Sequence, residues 1–67
     1  MNVLLNGERT EVADDATLRE LLARLGVEPR RGVAVAVAGE VVPRREWEAR
    51  VLEEGTRVEV VNAIQGG

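Results

Sequence analysis

At 67 residues, the chain is long enough for one small domain with a single apolar core. It contains no Cys, His, Ser, Tyr or Lys. Without them the chain has no disulfide or thiolate metal site and lacks the common nucleophiles and the usual neutral-pH acids and bases, so an enzyme is not expected. The net charge of −3 and the single aromatic residue argue against nucleic-acid binding. The sequence has no long apolar run and no signal-peptide pattern, which predicts a cytoplasmic protein without membrane contact.

The first elements are predicted to form a β-hairpin. Val3 and Leu5 alternate with polar residues, a pattern typical of a strand with one buried face. Asn6-Gly7 follows, and this pair favours a tight turn because both central positions of a type I′ turn need a positive φ. Residues 8–12 are therefore expected to return as the second strand.

A helix is predicted next. Thr17 and Glu20 have the spacing of a capping box, in which each side chain bonds the backbone of the other residue. Gly26 favours an end to the helix, since it adopts the left-handed conformation at low cost. Four leucines at helical spacing predict one apolar face that packs in the core: Leu18, Leu21, Leu22 and Leu25.

The middle of the chain is predicted to enter the centre of a sheet. Residues 33–38 alternate Val with Ala, so that both faces of this strand are apolar, and the Val side is expected to pack on the helix. Gly39-Glu40 favours a turn. Residues 41–42 are then expected to form a brief strand that ends at Pro43.

Residues 44–50 favour a short second helix or a helical turn. Trp47, the sole aromatic residue, lies within this segment and is expected to pack against the core. Four arginines are expected to face solvent, with partner contact as the alternative: Arg30, Arg31, Arg44 and Arg45.

The last strand completes the predicted fold. Glu54-Gly55 favours another turn, and residues 56–61 form a strand with Val58 and Val60 on its inner face. The order of elements is two strands, a helix, two strands, a short helix and a final strand. This order predicts an α+β fold of the β-grasp type, a mixed sheet of about five strands packed on one main helix.

The candidate functional site is the end of the chain. A domain at residues 1–61 leaves residues 62–67 as a flexible tail ending in Gly66-Gly67. Because Gly has no Cβ, such an end can pass through a narrow cleft of another protein, and six extended residues reach about 20 Å. Ile64 is expected either to pack back on the last strand or to anchor the tail in a partner.

The sequence resembles the ThiS family, the ubiquitin-like sulfur carriers of thiamin biosynthesis, along essentially its whole length. The stretch from Val41 to Arg44 followed by Trp47 is more specific to this family than the terminal glycines, which the wider ubiquitin-like superfamily shares. The motifs that carry the resemblance are Asn6-Gly7, residues 17–22, Val41-Val42-Pro43-Arg44, Trp47, Glu54-Gly55 and Gly66-Gly67.

The resemblance implies a function for the tail. An E1-like enzyme, ThiF, would adenylate the Gly67 carboxylate with ATP and Mg²⁺, while this chain itself would bind no cofactor or metal and supply no catalytic residue. A sulfur donor such as a cysteine desulfurase would then convert Gly67 to a thiocarboxylate. Thiazole synthase, ThiG, would take up the sulfur. Gly66, Gln65 and Ile64 would thread the tail into these partners.

Three other functions stay open from the sequence. A sulfur carrier for molybdopterin synthesis or tRNA thiolation would use the same terminal thiocarboxylate. A ubiquitin-like protein modifier would instead form an isopeptide bond through Gly67. A β-grasp module that only binds its partner non-covalently would have no need of the tail.

Overall fold

The computed structural model describes residues 1–27 and 33–62. For Asn62 it describes the backbone alone. Within these residues the chain forms five strands, one α-helix and one 3₁₀ turn. The elements are β1 (Asn2–Leu5), β2 (Glu8–Glu11), α1 (Leu18–Arg24), β3 (Val33–Val37), β4 (Glu40–Val41), the 3₁₀ turn (Arg44–Glu46) and β5 (Arg57–Asn62).

The strands make one mixed sheet in the order β2-β1-β5-β3-β4. β1 and β5 are parallel, whereas β1 with β2, β3 with β5 and β3 with β4 are antiparallel. The last strand therefore lies at the centre of the sheet, between the first and the third. This arrangement of a mixed five-stranded sheet with one helix confirms the β-grasp fold predicted from the sequence.

The helix begins and ends as the sequence predicts, but its apolar face is shorter. Thr17 and Glu20 form the capping box, with Glu20 N donating to Thr17 Oγ1 at 3.2 Å and Thr17 N to Glu20 Oε1 at 2.9 Å. Gly26 has φ 77°, and Val27 N donates to Leu22 O at 2.9 Å, a bond typical of a Schellman C-cap. The prediction that Leu25 is buried is wrong: it is 42% exposed, because it is the C-cap and Val27 packs against the core instead.

The core lies between the helix and one face of the sheet. Both elements contribute aliphatic side chains, and the predicted inward positions of Val35, Val37 and Val58 are confirmed. Trp47 is 2% exposed and its Nε1 donates to Val42 O at 2.9 Å, which confirms packing as its role. The buried residues are Val3, Val12, Ala16, Leu18, Leu21, Leu22, Val35, Val37, Val42, Trp47, Leu52 and Val58.

Several element boundaries differ from the prediction by one residue. The turn between β3 and β4 is centred on Ala38-Gly39, with φ 53° and 83°, and not on Gly39-Glu40, so β3 ends at Val37. Strand pairing explains this shift: Val42 N donates to Val35 O at 2.8 Å and Val42 is buried, so β4 comes one residue earlier than expected. β2 stops one residue early, at Glu11, and β5 begins and ends one residue later than predicted, over Arg57–Asn62.

Candidate functional site

The predicted site residues Ile64, Gln65, Gly66 and Gly67 lie outside the described residues, as do Arg30 and Arg31. What the structure does describe is the strand that leads into the tail. β5 extends to Asn62, which pairs with Val33 at the beginning of β3. Residues 63–67 follow directly on this strand in the sequence.

β5 is held on both sides by neighbouring strands. It pairs with β3 over five residue pairs, from Val33–Asn62 to Val37–Val58. On its other side β1 pairs with it only at Leu4–Arg57 and Leu5–Val58, because β1 ends at Leu5. The half of β5 nearest the tail therefore lies beyond the end of its parallel neighbour.

Asn6, in the turn after β1, continues the contact with β5. Its main-chain N donates to Val58 O at 2.8 Å, and its side-chain Oδ1 accepts a hydrogen bond from Val60 N at 2.9 Å. The side-chain carbonyl thus takes the place of the next main-chain carbonyl that a longer β1 would have supplied. The Asn6-Gly7 pattern predicts only the turn, and nothing near it in the sequence indicates this second role of Asn6.

The face of the sheet opposite the helix is apolar near the end of β5. We call this face the open face, and define its apolar band by Val61, Ala34, Ala36 and Val41. Ala34 pairs with Val61 and Ala36 with Val41, so these four side chains form a band from β5 to the edge strand β4. Val41 is 68% exposed and Val61 is 58% exposed, which is unusual for valines in a strand.

Charged residues flank this apolar band. Leu4 lies between Arg9 on β2 and Arg57 on β5 in the sheet register, and all three side chains are exposed. Glu59 pairs with Ala36, next to the band. An apolar centre with charges at its border is the composition of a protein–protein contact surface.

The charged and polar side chains of the described residues are exposed or partly buried. These residues include no buried polar or charged side chain and no group of three or more potential metal ligands. Arg44 and Arg45 are exposed, as the sequence predicts. Among the described helices, none is long and apolar enough to cross a membrane.

The open face was missed in the sequence analysis, although a signal for it is present. Val41-Val42 and Val60-Val61 are consecutive apolar pairs, and residues 33–38 are apolar on both sides. In a fold with a single helix, only one side of each strand can be covered, so the other apolar side chains must be exposed. One covering helix, compared with strands that are apolar on both sides, indicates that an apolar surface stays exposed.

Known proteins resemble the chain over its whole length. A family model described as the ThiS family matches residues 3–67. The sulfur carrier protein ThiS of Thermus thermophilus is 43% identical over 65 residues, which make up 97% of this chain and 98% of that protein. The crystal structure of a thiamine biosynthesis protein (ThiS) from Geobacter metallireducens has a TM-score of 0.83 and 33% identity, with 100% of both chains covered.

A second kind of relative is longer. A thiazole synthase from Magnetococcus marinus is 42% identical over 67 residues, which make up 100% of this chain and 20% of that protein. This chain therefore spans about a fifth of that relative, which holds a segment similar to it within one polypeptide.

Proposed function

The chain belongs to the ThiS family of sulfur carrier proteins of thiamine biosynthesis, and from this membership we propose that its Gly67 carboxylate is the group that carries the sulfur. The chain acts as a cosubstrate of partner enzymes and not as an enzyme, and its place of action is the cytoplasm. The observation that carries the proposal is the match over residues 3–67, which includes the terminal Gly66-Gly67.

The first proposed step is adenylation by an E1-like enzyme, ThiF. A carboxylate is a poor electrophile, so an oxygen of Gly67 attacks the α-phosphorus of ATP and pyrophosphate leaves. The developing charge on the phosphates needs Mg²⁺ and preorganised donors, which the partner supplies. The product is an acyl-adenylate at the end of the chain.

The second and third proposed steps load and deliver the sulfur. The outer sulfur of a persulfide on a donor such as a cysteine desulfurase attacks the Gly67 carbonyl, and AMP leaves. A thiol reductant then cleaves the S–S bond of the resulting acyl disulfide, so that a thiocarboxylate remains on Gly67 and the reductant and donor sulfurs leave as a disulfide. Thiazole synthase then accepts the sulfur, and hydrolysis returns the carboxylate. The thiazole synthase relative from Magnetococcus marinus supports this partner, because one polypeptide there contains a segment similar to this chain.

The open face is the proposed docking surface for the adenylating enzyme. Val61 lies one residue before Asn62, the last described residue, so the apolar band begins directly before the tail in the sequence. A partner that covers the band can receive the tail in the same encounter. Glycine at positions 66 and 67 lets the end enter a narrow cleft, and Ile64 and Gln65 lie between these two features in the sequence.

The test of the carrier function is the intact mass of the chain after incubation with the adenylating enzyme, ATP, Mg²⁺ and a sulfide source. We expect a mass change equal to one oxygen-for-sulfur exchange, located at Gly67 by fragmentation. No change under conditions that load a known carrier would contradict the proposal.

Gly66→Ala tests whether the tail must be narrow. The added Cβ is expected to leave the melting temperature unchanged and to abolish pyrophosphate release, because the end no longer passes the cleft. Ala63→Gly is the matched control, since it changes the same tail without adding a side chain and is expected to react like the parent. Normal pyrophosphate release by Gly66→Ala would count against threading.

A further inference from the structure

Two tight turns of this chain have almost the same backbone but different first residues. Asn6-Gly7 has φ 50° and 86°, and Ala38-Gly39 has φ 53° and 83°. Both satisfy the requirement of a type I′ turn for two positive φ values, which glycine meets most easily. Ala38 adopts this conformation without an amide side chain, so the turn favours Asn at position 6 but does not require it.

The hydrogen bonds of Asn6 show what this side chain does. Its Oδ1 accepts from Val60 N at 2.9 Å, although the two residues are 54 positions apart in the sequence. Val60 lies two residues before the end of β5 and beyond the last β1–β5 pair, Leu5–Val58. The bond therefore fixes the part of β5 that β1 is too short to reach.

We propose that Asn6 is a positioning residue for the open face, the docking surface of the adenylating enzyme. By holding Val60, it fixes the last residues of β5 and keeps Val61 in register with Ala34 on that face. The adenylating enzyme then meets a docking surface whose β5 part is already in place. Preorganisation of this kind strengthens binding because less conformational freedom is lost on association. This inference rests on the proposed function.

Three variants separate the side chain of Asn6 from its backbone. Asn6→Gly removes the acceptor and keeps the tolerance of positive φ. Asn6→Asp keeps an oxygen acceptor of the same size, and Asp also tolerates this conformation. Ala38→Gly is the matched control, since it creates the same Gly-Gly sequence in the other turn and removes no hydrogen-bond acceptor.

The first measurement is amide hydrogen exchange at Val60. We expect Asn6→Gly to speed this exchange by about two- to tenfold, the factor that corresponds to the net strength of one hydrogen bond. Asn6→Asp and Ala38→Gly are expected to keep the protection of the parent. Unchanged exchange at Val60 in Asn6→Gly would show that the bond does not hold β5.

The second measurement is the KM and kcat for the carrier in pyrophosphate release by the adenylating enzyme, well below the melting temperature of every variant. Asn6→Gly is expected to raise KM by a similar factor with kcat unchanged, and Asn6→Asp to restore KM. A purely structural bond would alter exchange and melting temperature but not KM, so faster exchange with the KM of the parent would overturn the positioning role. If the parent itself releases no pyrophosphate, both the proposed function and the positioning role of Asn6 are wrong. The hydrogen exchange at Val60 then still tests whether the Asn6–Val60 hydrogen bond holds β5.

Discussion

The two faces of the sheet use the same strands for different purposes. On the helix-covered face, Val35 is 1% exposed and Val58 is 0% exposed, whereas on the open face Val61 is 58% exposed and Val41 is 68% exposed. All four are the same residue type in adjacent strands, so composition alone does not distinguish them. The difference teaches that an apolar side chain here stabilises the fold only where α1 covers it, and elsewhere is available to a partner.

The largest expected effect is on the covered face. Leu21 is 1% exposed, and Leu21→Ala should lower the free energy of unfolding by about 2–5 kcal/mol through lost burial and the cavity that remains. Such a loss is a large part of the total stability of a small domain. The measurement is urea denaturation followed by circular dichroism.

Leu25→Ala is the control for this prediction, because it makes the same change at the end of the same helix. Leu25 is 42% exposed, so its truncation should cost less than about 1 kcal/mol. Equal losses at Leu21 and Leu25 would contradict the contrast between covered and exposed leucines.

A smaller effect is expected at the start of the helix. Thr17→Ala removes the hydroxyl that accepts from Glu20 N and should lower the free energy of unfolding by about 1 kcal/mol. Thr17→Ser keeps the hydroxyl and should stay close to the parent. Both are read from the same urea denaturation, and a loss in Thr17→Ser as large as that in Thr17→Ala would show that the cap bond is not the cause.

Much of the covered face could be predicted because it depends on local pattern. The capping box of Thr17, the helical spacing of Leu18, Leu21 and Leu22, and the period of two in β3 are each visible within a few residues. Such local patterns indicate which side chains are buried where a single layer, here the helix, covers the strand. The error at Leu25 arose because this residue is the C-cap beside Gly26, where the helical spacing of apolar residues no longer predicts burial.

Other features depend on which strands become neighbours, and local pattern does not contain that information. Ala38 takes φ 53° against its own preference, because the pairing of β3 with β4 places Val42 in the core. Likewise Asn6-Gly7 predicts its turn, but the bond from Val60 exists only because β5 lies beside β1. The open face also required the number of covering layers to be known.

The smallest effect on stability is expected on the open face, where the effect on function should be measurable. Val41→Thr keeps the β-branched shape and replaces one exposed methyl group by a hydroxyl, so the free energy of unfolding should change by less than about 0.5 kcal/mol. If the adenylating enzyme buries this position, the lost apolar contact should raise the KM for the carrier by about three- to tenfold.

Val51→Thr decides whether such a change reflects the open face or exposed valines in general. Val51 is 54% exposed and lies next to Thr17 at the start of the helix, away from the open face. The same substitution there should leave both stability and KM unchanged. Equal KM values for the two variants would mean that the apolar band on the open face is not the docking surface. If Val41→Thr lowered the free energy of unfolding as much as Thr17→Ala does, the open face would also stabilise the fold. The contrast between a covered face for folding and an open face for binding would then be wrong.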